Sequence, residues 1–346
     1  MNICRGISEL EVNREDGAVS AGGLMSNTNY ILWISGIFLF IIVFHTNFLT
    51  KITKMSSLRG GRSGLVKTLT VKMERDRELE SLDKTKWYSV DLERIRSQDI
   101  RAKFVQLHTD EETQAFIEHS VEQSDWLFTQ LWYNVAKSLL SWVYCQTDIN
   151  AMLSRGSMFV FSKQQFVTMT GIKEDENLGD MLDLGAGDGR PTEAMSGFCD
   201  KVFVTEMSKP MRKILATKGF EVLEIDNWVK KEEYGLISAL NLFDRCDKPL
   251  TIVSDIYKSL RSGGYFVVAL VLPFRPYVES VPSHEPSEEM NISGKYFENQ
   301  LESSVEMFKN VGFVLLSWSR IPYLCEGDLA RPIYSLDDSL IIFRKP

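Results

Sequence analysis

The chain lacks the residue patterns that would place it outside a reducing compartment or around a metal. Its five cysteines (Cys4, Cys145, Cys199, Cys246, Cys325) are scattered, odd in number and form no C-x-x-C pair. That argues against a disulfide framework and a thiolate zinc site, and for free thiols. Four histidines (His45, His108, His119, His284) share no metal-ligand spacing, so no metal is expected. There is no basic excess: 39 Lys and Arg against 47 Asp and Glu leave a net charge of −8. A general nucleic-acid binder usually shows a basic face, so nucleic acid is not an expected partner. No internal repeat is visible.

Long apolar runs are absent but for one. Tyr30 to Leu49 reads YILWISGIFLFIIVFHTNFL, close to the roughly 20 residues that span a bilayer. Acidic residues precede it (Glu9, Glu11, Glu15, Asp16). Lys51, Lys54, Arg59, Arg62, Lys67 and Lys72 follow it with no acid between. By the positive-inside rule this predicts a signal-anchor helix with the C-terminal part in the cytosol, held at the endoplasmic reticulum or another endomembrane. The alternatives are a removed signal peptide, or an extension skipped by starting at Met25 or Met55. If the domain faced a lumen, Asn291-Ile-Ser293 would be a glycosylation acceptor.

The richest stretch is Met181-Leu-Asp-Leu-Gly-Ala-Gly-Asp-Gly189. An apolar strand ends near Leu184, and glycines at 185, 187 and 189 permit a sharp turn into a helix and let a ligand lie against backbone amides. A second apolar strand, 201–205, ends in Glu206, whose carboxylate can grip ribose hydroxyls. The spacing D-x-G-x-G-x-G differs from the dinucleotide pattern G-x-G-x-x-G. It resembles motif I of the Rossmann-like S-adenosylmethionine-dependent methyltransferases. Asp183 and Asp188 would repel a pyrophosphate but suit a cationic sulfonium. S-adenosylmethionine is therefore the expected cofactor.

From Gly179 onward short apolar runs alternate with helical stretches, which predicts an α/β fold with a mostly parallel sheet. Strands are expected at 180–184, 201–205, 220–225, 235–240, 264–271, 313–319 and 338–343. Helices are expected at 190–198, 208–218, 249–261 and 296–310, with Gly219, Gly263-Gly264 and Gly312 as C-caps. The predicted architecture is a Rossmann-like, seven-stranded class I methyltransferase sheet, with an N-terminal helical extension and a transmembrane anchor. Its parts are a disordered N-terminus (1–29), the anchor (30–49), a basic linker (50–77), the helical extension (78–175) and the catalytic domain (176–346). In the extension, apolar residues from Phe116 to Val143 recur at helical spacing, with a break expected near Gln123-Ser124-Asp125 and Ser124 or Asp125 as cap. Trp126, Trp132 and Trp142 are expected in the core.

Ligands of such sheets sit at the carboxyl ends of the strands. After the third strand, Asp226 or Asn227 can bond the adenine amino group, and Trp228 either covers that ring or packs in the core. After the fourth strand, Asn241 and Asp244 stand three residues apart, which one helical turn would put on one face.

Five runs carry a specific resemblance: Arg155-Gly-Ser-Met-Phe-Val-Phe161, Leu182 to Gly189, Leu240-Asn-Leu-Phe-Asp-Arg-Cys-Asp247, Ala269 to Phe274 with Pro276-Tyr-Val-Glu279, and Pro322-Tyr-Leu-Cys-Glu-Gly-Asp328. Over residues 110–346 the chain resembles the DREV methyltransferase family. The resemblance implies methylation of the Nδ1 (pros) nitrogen of histidine in His-x-His protein sequences; a monomeric catalytic domain is expected. The resemblance also implies Glu206 on the ribose and Asn241, Asp244 and Tyr323 around the target imidazole. One departure is Asp226, where the family tends to carry Asn. The insertion Pro273 to Ser293 is expected to border the substrate groove. Two other classes stay open: a methyltransferase of lipid, small molecule or RNA, and a silent membrane-held scaffold.

Overall fold

The structure, a computed structural model, describes residues 64–346 apart from Ser280, Leu329 and Ala330. The chain separates into Met1–Thr68 and Leu69–Pro346, and the contacts given below lie within the second unit. The expected N-terminal tail (1–29) and anchor (30–49) lie outside the described residues. Among those described, no helix is long and apolar enough to cross a membrane.

The strands are β1 (Met158–Phe159), β2 (Met181–Leu184), β3 (Val202–Thr205), β4 (Glu221–Leu223), β5 (Tyr234–Leu240), β6 (Leu260–Val271), β7 (Val314–Glu326) and β8 (Ile333–Arg344). They form one sheet in the order β1-β7-β8-β6-β5-β2-β3-β4. The pairs from β4 through β3, β2 and β5 to β6 are parallel, while β8 runs antiparallel between β6 and β7. This bears out the expected sheet, with β1 added as an eighth strand paired to β7. After β4 the chain returns across the sheet to place β5 on the other side of β2. Their carboxyl ends are thus the topological switch point, where open α/β sheets hold ligands.

Strand periodicity makes the sheet apolar on both faces. Leu182, Ile237, Phe266 and Ile341 enter one cluster, while Met181, Leu236, Val267 and Ile342 enter the other. Ten helices are described: α1 (Gly64–Ser81), α2 (Gln98–Ala102), α3 (Glu111–Asp125), α4 (Leu127–Leu140), α5 (Gln146–Met152), α6 (Lys163–Thr170), α7 (Arg190–Ser196), α8 (Lys209–Thr217), α9 (Pro249–Ser259) and α10 (Phe297–Val311). The first cluster is covered by α9 and α10 through Val253, Ile256, Leu301 and Phe308. The second takes Phe116 of α3, Phe166 of α6 and Met195 of α7.

Several local expectations change. Helix α1 starts at Gly64, inside the predicted linker, and crosses its boundary at 77. The break in the extension falls at Trp126, and neither predicted cap acts there: Ser124 donates to the Val121 carbonyl and Asp125 pairs with Lys72. Gly312 ends α10 in the left-handed region as expected, but Gly263 and Gly264 lie within β6 because the chain passes from α9 directly into the strand. Strands β7 and β8 run to Glu326 and from Ile333, beyond the expected limits of 319 and 338. Trp126, Trp132 and Trp142 are exposed rather than buried.

Trp318 fastens the extension to the sheet. Its indole N–H donates to the Ile100 carbonyl (2.6 Å), and its backbone exchanges hydrogen bonds with Lys103 and Val105. The side chain is fully buried against Phe104. Trp318→Ala should therefore cost about 3–5 kcal/mol, read as a lower urea midpoint of the full chain. An unchanged midpoint would show that this contact does not hold the extension.

Candidate active site

Strand β2 is fully buried and delivers the chain to the switch point with Asp183 pointing inward. Asp183 accepts hydrogen bonds from Thr192 Oγ1 (2.6 Å) at the start of α7 and from Ser238 Oγ (2.7 Å) on β5. Burial pushes its carboxyl up to about 6, against the pull of those two hydroxyls, with Glu206 adding a further rise. Asp183 therefore braces the loop through Thr192 and Ser238.

Above it, Gly185, Gly187 and Gly189 all hold positive φ. At Gly185 space is also restrictive: a Cβ would lie 3.0 Å from Leu242, so the β5 loop packs directly on the glycine loop. The loop amides are not bare. Gly185 and Ala186 donate to Thr205, Gly187 to Glu206 Oε2 (3.0 Å), Gly189 to Ala186, and Arg190 to Asp188. A pyrophosphate needs free amides at a helix N-terminus, and those named here are committed within the protein.

Glu206 sits half-buried just past β3. Besides Gly187 it accepts the Ser208 N–H through Oε1 (2.8 Å). Each carboxylate oxygen keeps a second acceptor site, which a diol can fill. A nucleoside cofactor without phosphate fits this set: an acidic diol-binding residue, a close-approach glycine loop and no committed cation. Asp226 and Asn227 are both exposed after β4, Asn227 turning back to the Glu224 carbonyl. Trp228 is buried in the first core cluster, so of its two expected roles it takes packing.

Strand β5 delivers the second half of the site. The segment after Leu240 is a series of turns rather than a helix, so Asn241 and Asp244 do not share a helical face. Asn241 holds a left-handed backbone (φ 54°). Its amide nitrogen donates to Asp338 Oδ2 (2.8 Å), and its amide oxygen accepts the Val271 N–H (3.0 Å). It is a clamp between β5, β6 and β8, with one amide N–H left for a ligand. Asp244 is only 16% exposed at its side chain and lies 3.2 Å from the Arg245 guanidinium. Burial raises its carboxyl above the ordinary range despite that cation. The Asp244 carbonyl accepts the Tyr277 N–H (2.7 Å), which latches the expected insertion against this strand end.

Tyr323, on β7, is driven well above its usual value by burial, with the charges of Asp338 and Asp244 acting on it in the same sense. Its hydroxyl meets the sulfur of Met158. The Met158 methyl would in turn lie 3.3 Å from a Cβ at Gly187. One side chain thus links the glycine loop to Tyr323. Beside it, Glu326 accepts the Gly156 and Ser157 amides and pairs with Arg155 at 3.7 Å. No role is expected from sequence for Met158, Glu326 or Asp338, although Met158 and Glu326 lie in runs that carry the family resemblance and Asp338 is an acid at the head of the apolar run Leu340–Phe343.

Asp338 is completely buried, and burial pushes its carboxyl up to about 7 against the hydrogen bond from Asn241. A carboxyl whose folded value is raised keeps its proton longer in the folded chain than in the unfolded one. Stability is then greatest in acid and falls as pH rises through the folded value. Wild-type melting temperature should decline from about pH 5 to about pH 8, and Asp338→Asn should flatten that decline. Parallel slopes for the two proteins would remove Asp338 as its source.

The chain was compared with known families and structures. The model of the DREV methyltransferases matches residues 87–345. Among solved structures, the chain is similar to an S-adenosylmethionine-dependent methyltransferase from Mesorhizobium loti (14% identity, 53% of this chain and 98% of that one, TM-score 0.37). It is also similar to the N-methyltransferase NodS from Bradyrhizobium japonicum, solved with S-adenosyl-L-homocysteine (16% identity, 49% and 78%, TM-score 0.32). Membership of a methyltransferase family agrees with S-adenosylmethionine as the cofactor. With its family model covering most of its length, the chain belongs to the DREV methyltransferases.

Proposed function

We propose that the chain is a protein-histidine methyltransferase that modifies Nδ1 of histidine in His-x-His sequences. The observation that carries this reading is a desolvated carboxylate, Asp244, at the carboxyl end of β5, beside Tyr323 and across the switch point from the glycine loop. S-adenosylmethionine, when bound, supplies an electrophilic methyl group.

Imidazole is largely neutral at pH 7 and already nucleophilic, so no strong base is required before attack. What the protein must select is the nitrogen that presents its lone pair. Asp244 does so by accepting the Nε2–H, which leaves the lone pair on Nδ1. As Nδ1 takes the methyl, its lone pair forms the new N–C bond while the S–C pair returns to sulfur. The ring becomes cationic, and the Asp244 carboxylate stabilises it before the Nε2 proton leaves. Such a preoriented charge is worth about 3 kcal/mol in the transition state. Asn241, held by Asp338 and Val271, offers its remaining amide N–H to the peptide. The insertion latched to the Asp244 carbonyl, with Tyr277 stacked on His284 at 4.5 Å, flanks the peptide path.

The test uses the full chain, labelled cofactor and a peptide containing Ala-His-Ala-His, with mass spectrometry distinguishing the two ring isomers. Label is expected on Nδ1 and is lost when either histidine becomes alanine. Asp244→Asn should keep cofactor affinity by calorimetry and lower turnover about a hundredfold. Because the Asp244 carboxyl is raised, wild-type turnover should fall on the acid side as it protonates. An untouched peptide, with cofactor binding intact, would refute the histidine reading. Normal turnover by Asp244→Asn would refute the role given to that residue.

A further inference from the structure

Helix α4 carries an apolar face that the rest of the described domain leaves uncovered. Trp132, Val135 and Leu139 follow one another at helical spacing and are 63%, 53% and 71% exposed. Trp142 and Val143 extend the stripe past the helix end at 82% and 64%, and Trp126 opens it at 49%. Scattered apolar surface residues are ordinary, but Trp132, Val135, Leu139, Trp142 and Val143 together form an uncovered apolar run of the kind that marks an interaction surface.

The charge pattern says what kind. Between Asp125 and Asp148 the only ionisable cation or carboxylate is Lys137. A protein partner would be expected to meet a polar rim, whereas tryptophan, aliphatic side chains and a lone lysine suit the boundary between headgroups and acyl chains. Chain connectivity points the same way. The residues before the described region contain the apolar run Tyr30–Leu49 and the basic cluster after it. That chain joins the domain through α1, and Lys72 of α1 is bound to Asp125 (2.5 Å), the last residue before the exposed face begins. Past the face, Asp148 of α5 accepts the Ser208 hydroxyl (2.6 Å), two residues from Glu206.

We propose that the α4 face is a membrane-contact surface, which lies in the bilayer interface as a second attachment besides the N-terminal apolar run. The ion pair to α1 and the Asp148–Ser208 bond connect that surface to the cofactor end of the domain.

Trp33 lies in the apolar run, whereas Trp87, Trp228 and Trp318 are buried in the domain. In a full chain carrying Trp33→Phe, tryptophan quenching by lipid therefore reports the exposed face. The protein is reconstituted into vesicles of phosphatidylcholine with a minor share of phosphatidylserine, with brominated or plain acyl chains. Brominated chains should quench the emission and shift it to the blue. Leu139→Glu should reduce the quenched fraction about tenfold. Position 139 is exposed, so melting should be unchanged. Vesicle-bound protein without quenching would overturn the proposal. So would emission already blue-shifted without vesicles, since the face would then be covered by a second copy or by the chain's own apolar run.

Discussion

Asp183 receives one hydroxyl hydrogen bond from Thr192 and another from Ser238, so a single buried carboxylate couples the helix after the glycine loop to the neighbouring strand. The coupling crosses the switch point, where β2 and β5 part towards opposite halves of the sheet. Leu242 packing onto Gly185 repeats the connection above the sheet, and Met158 repeats it on the side of Tyr323. The cofactor loop is therefore tied by these contacts to the strand end that leads to Asp244. Holding two reacting groups in register is the main thing such an enzyme contributes when its nucleophile needs little activation.

The site also concentrates negative charge where water is scarce. Asp183, Asp244 and Asp338 are all raised by burial, and Asp244 adds to the rise at Asp338. An apolar core would cost less. A cation placed beside these groups favours their charged forms, in a reaction whose methyl donor is a sulfonium and whose proposed product is an imidazolium. Among the described residues, Arg245, 58% exposed, is the cation paired with Asp244 and is a partial counterion, which leaves that carboxylate available to a ligand. Asn241 is kept from collapsing onto Asp244 because its amide is committed on both ends to β6 and β8.

Sequence reading went furthest where local rules decide the outcome. The parallel strands came from apolar runs bounded by glycine, and the cofactor loop from three glycines that only a sharp turn explains. It failed where partners are distant. Asp183 sits in the motif, yet its inward orientation depends on Ser238, 55 residues away. Met158 became part of the site only because β1 pairs with β7 across the sheet edge. The apolar residues of α4 follow a helical period that reads as core, and periodicity cannot say whether a face meets protein or something else. The strand expected to end at 319 runs on to Glu326, which places Tyr323 within β7.

The central claim is that Asp244 chooses which ring nitrogen is methylated. A crystal structure of the protein with S-adenosyl-L-homocysteine and a His-Ala-His peptide tests it most directly. The account predicts one imidazole with Nε2 on the Asp244 carboxylate and Nδ1 turned towards the sulfur. A ring bound the other way round, or a peptide seated away from Asp244, would contradict it.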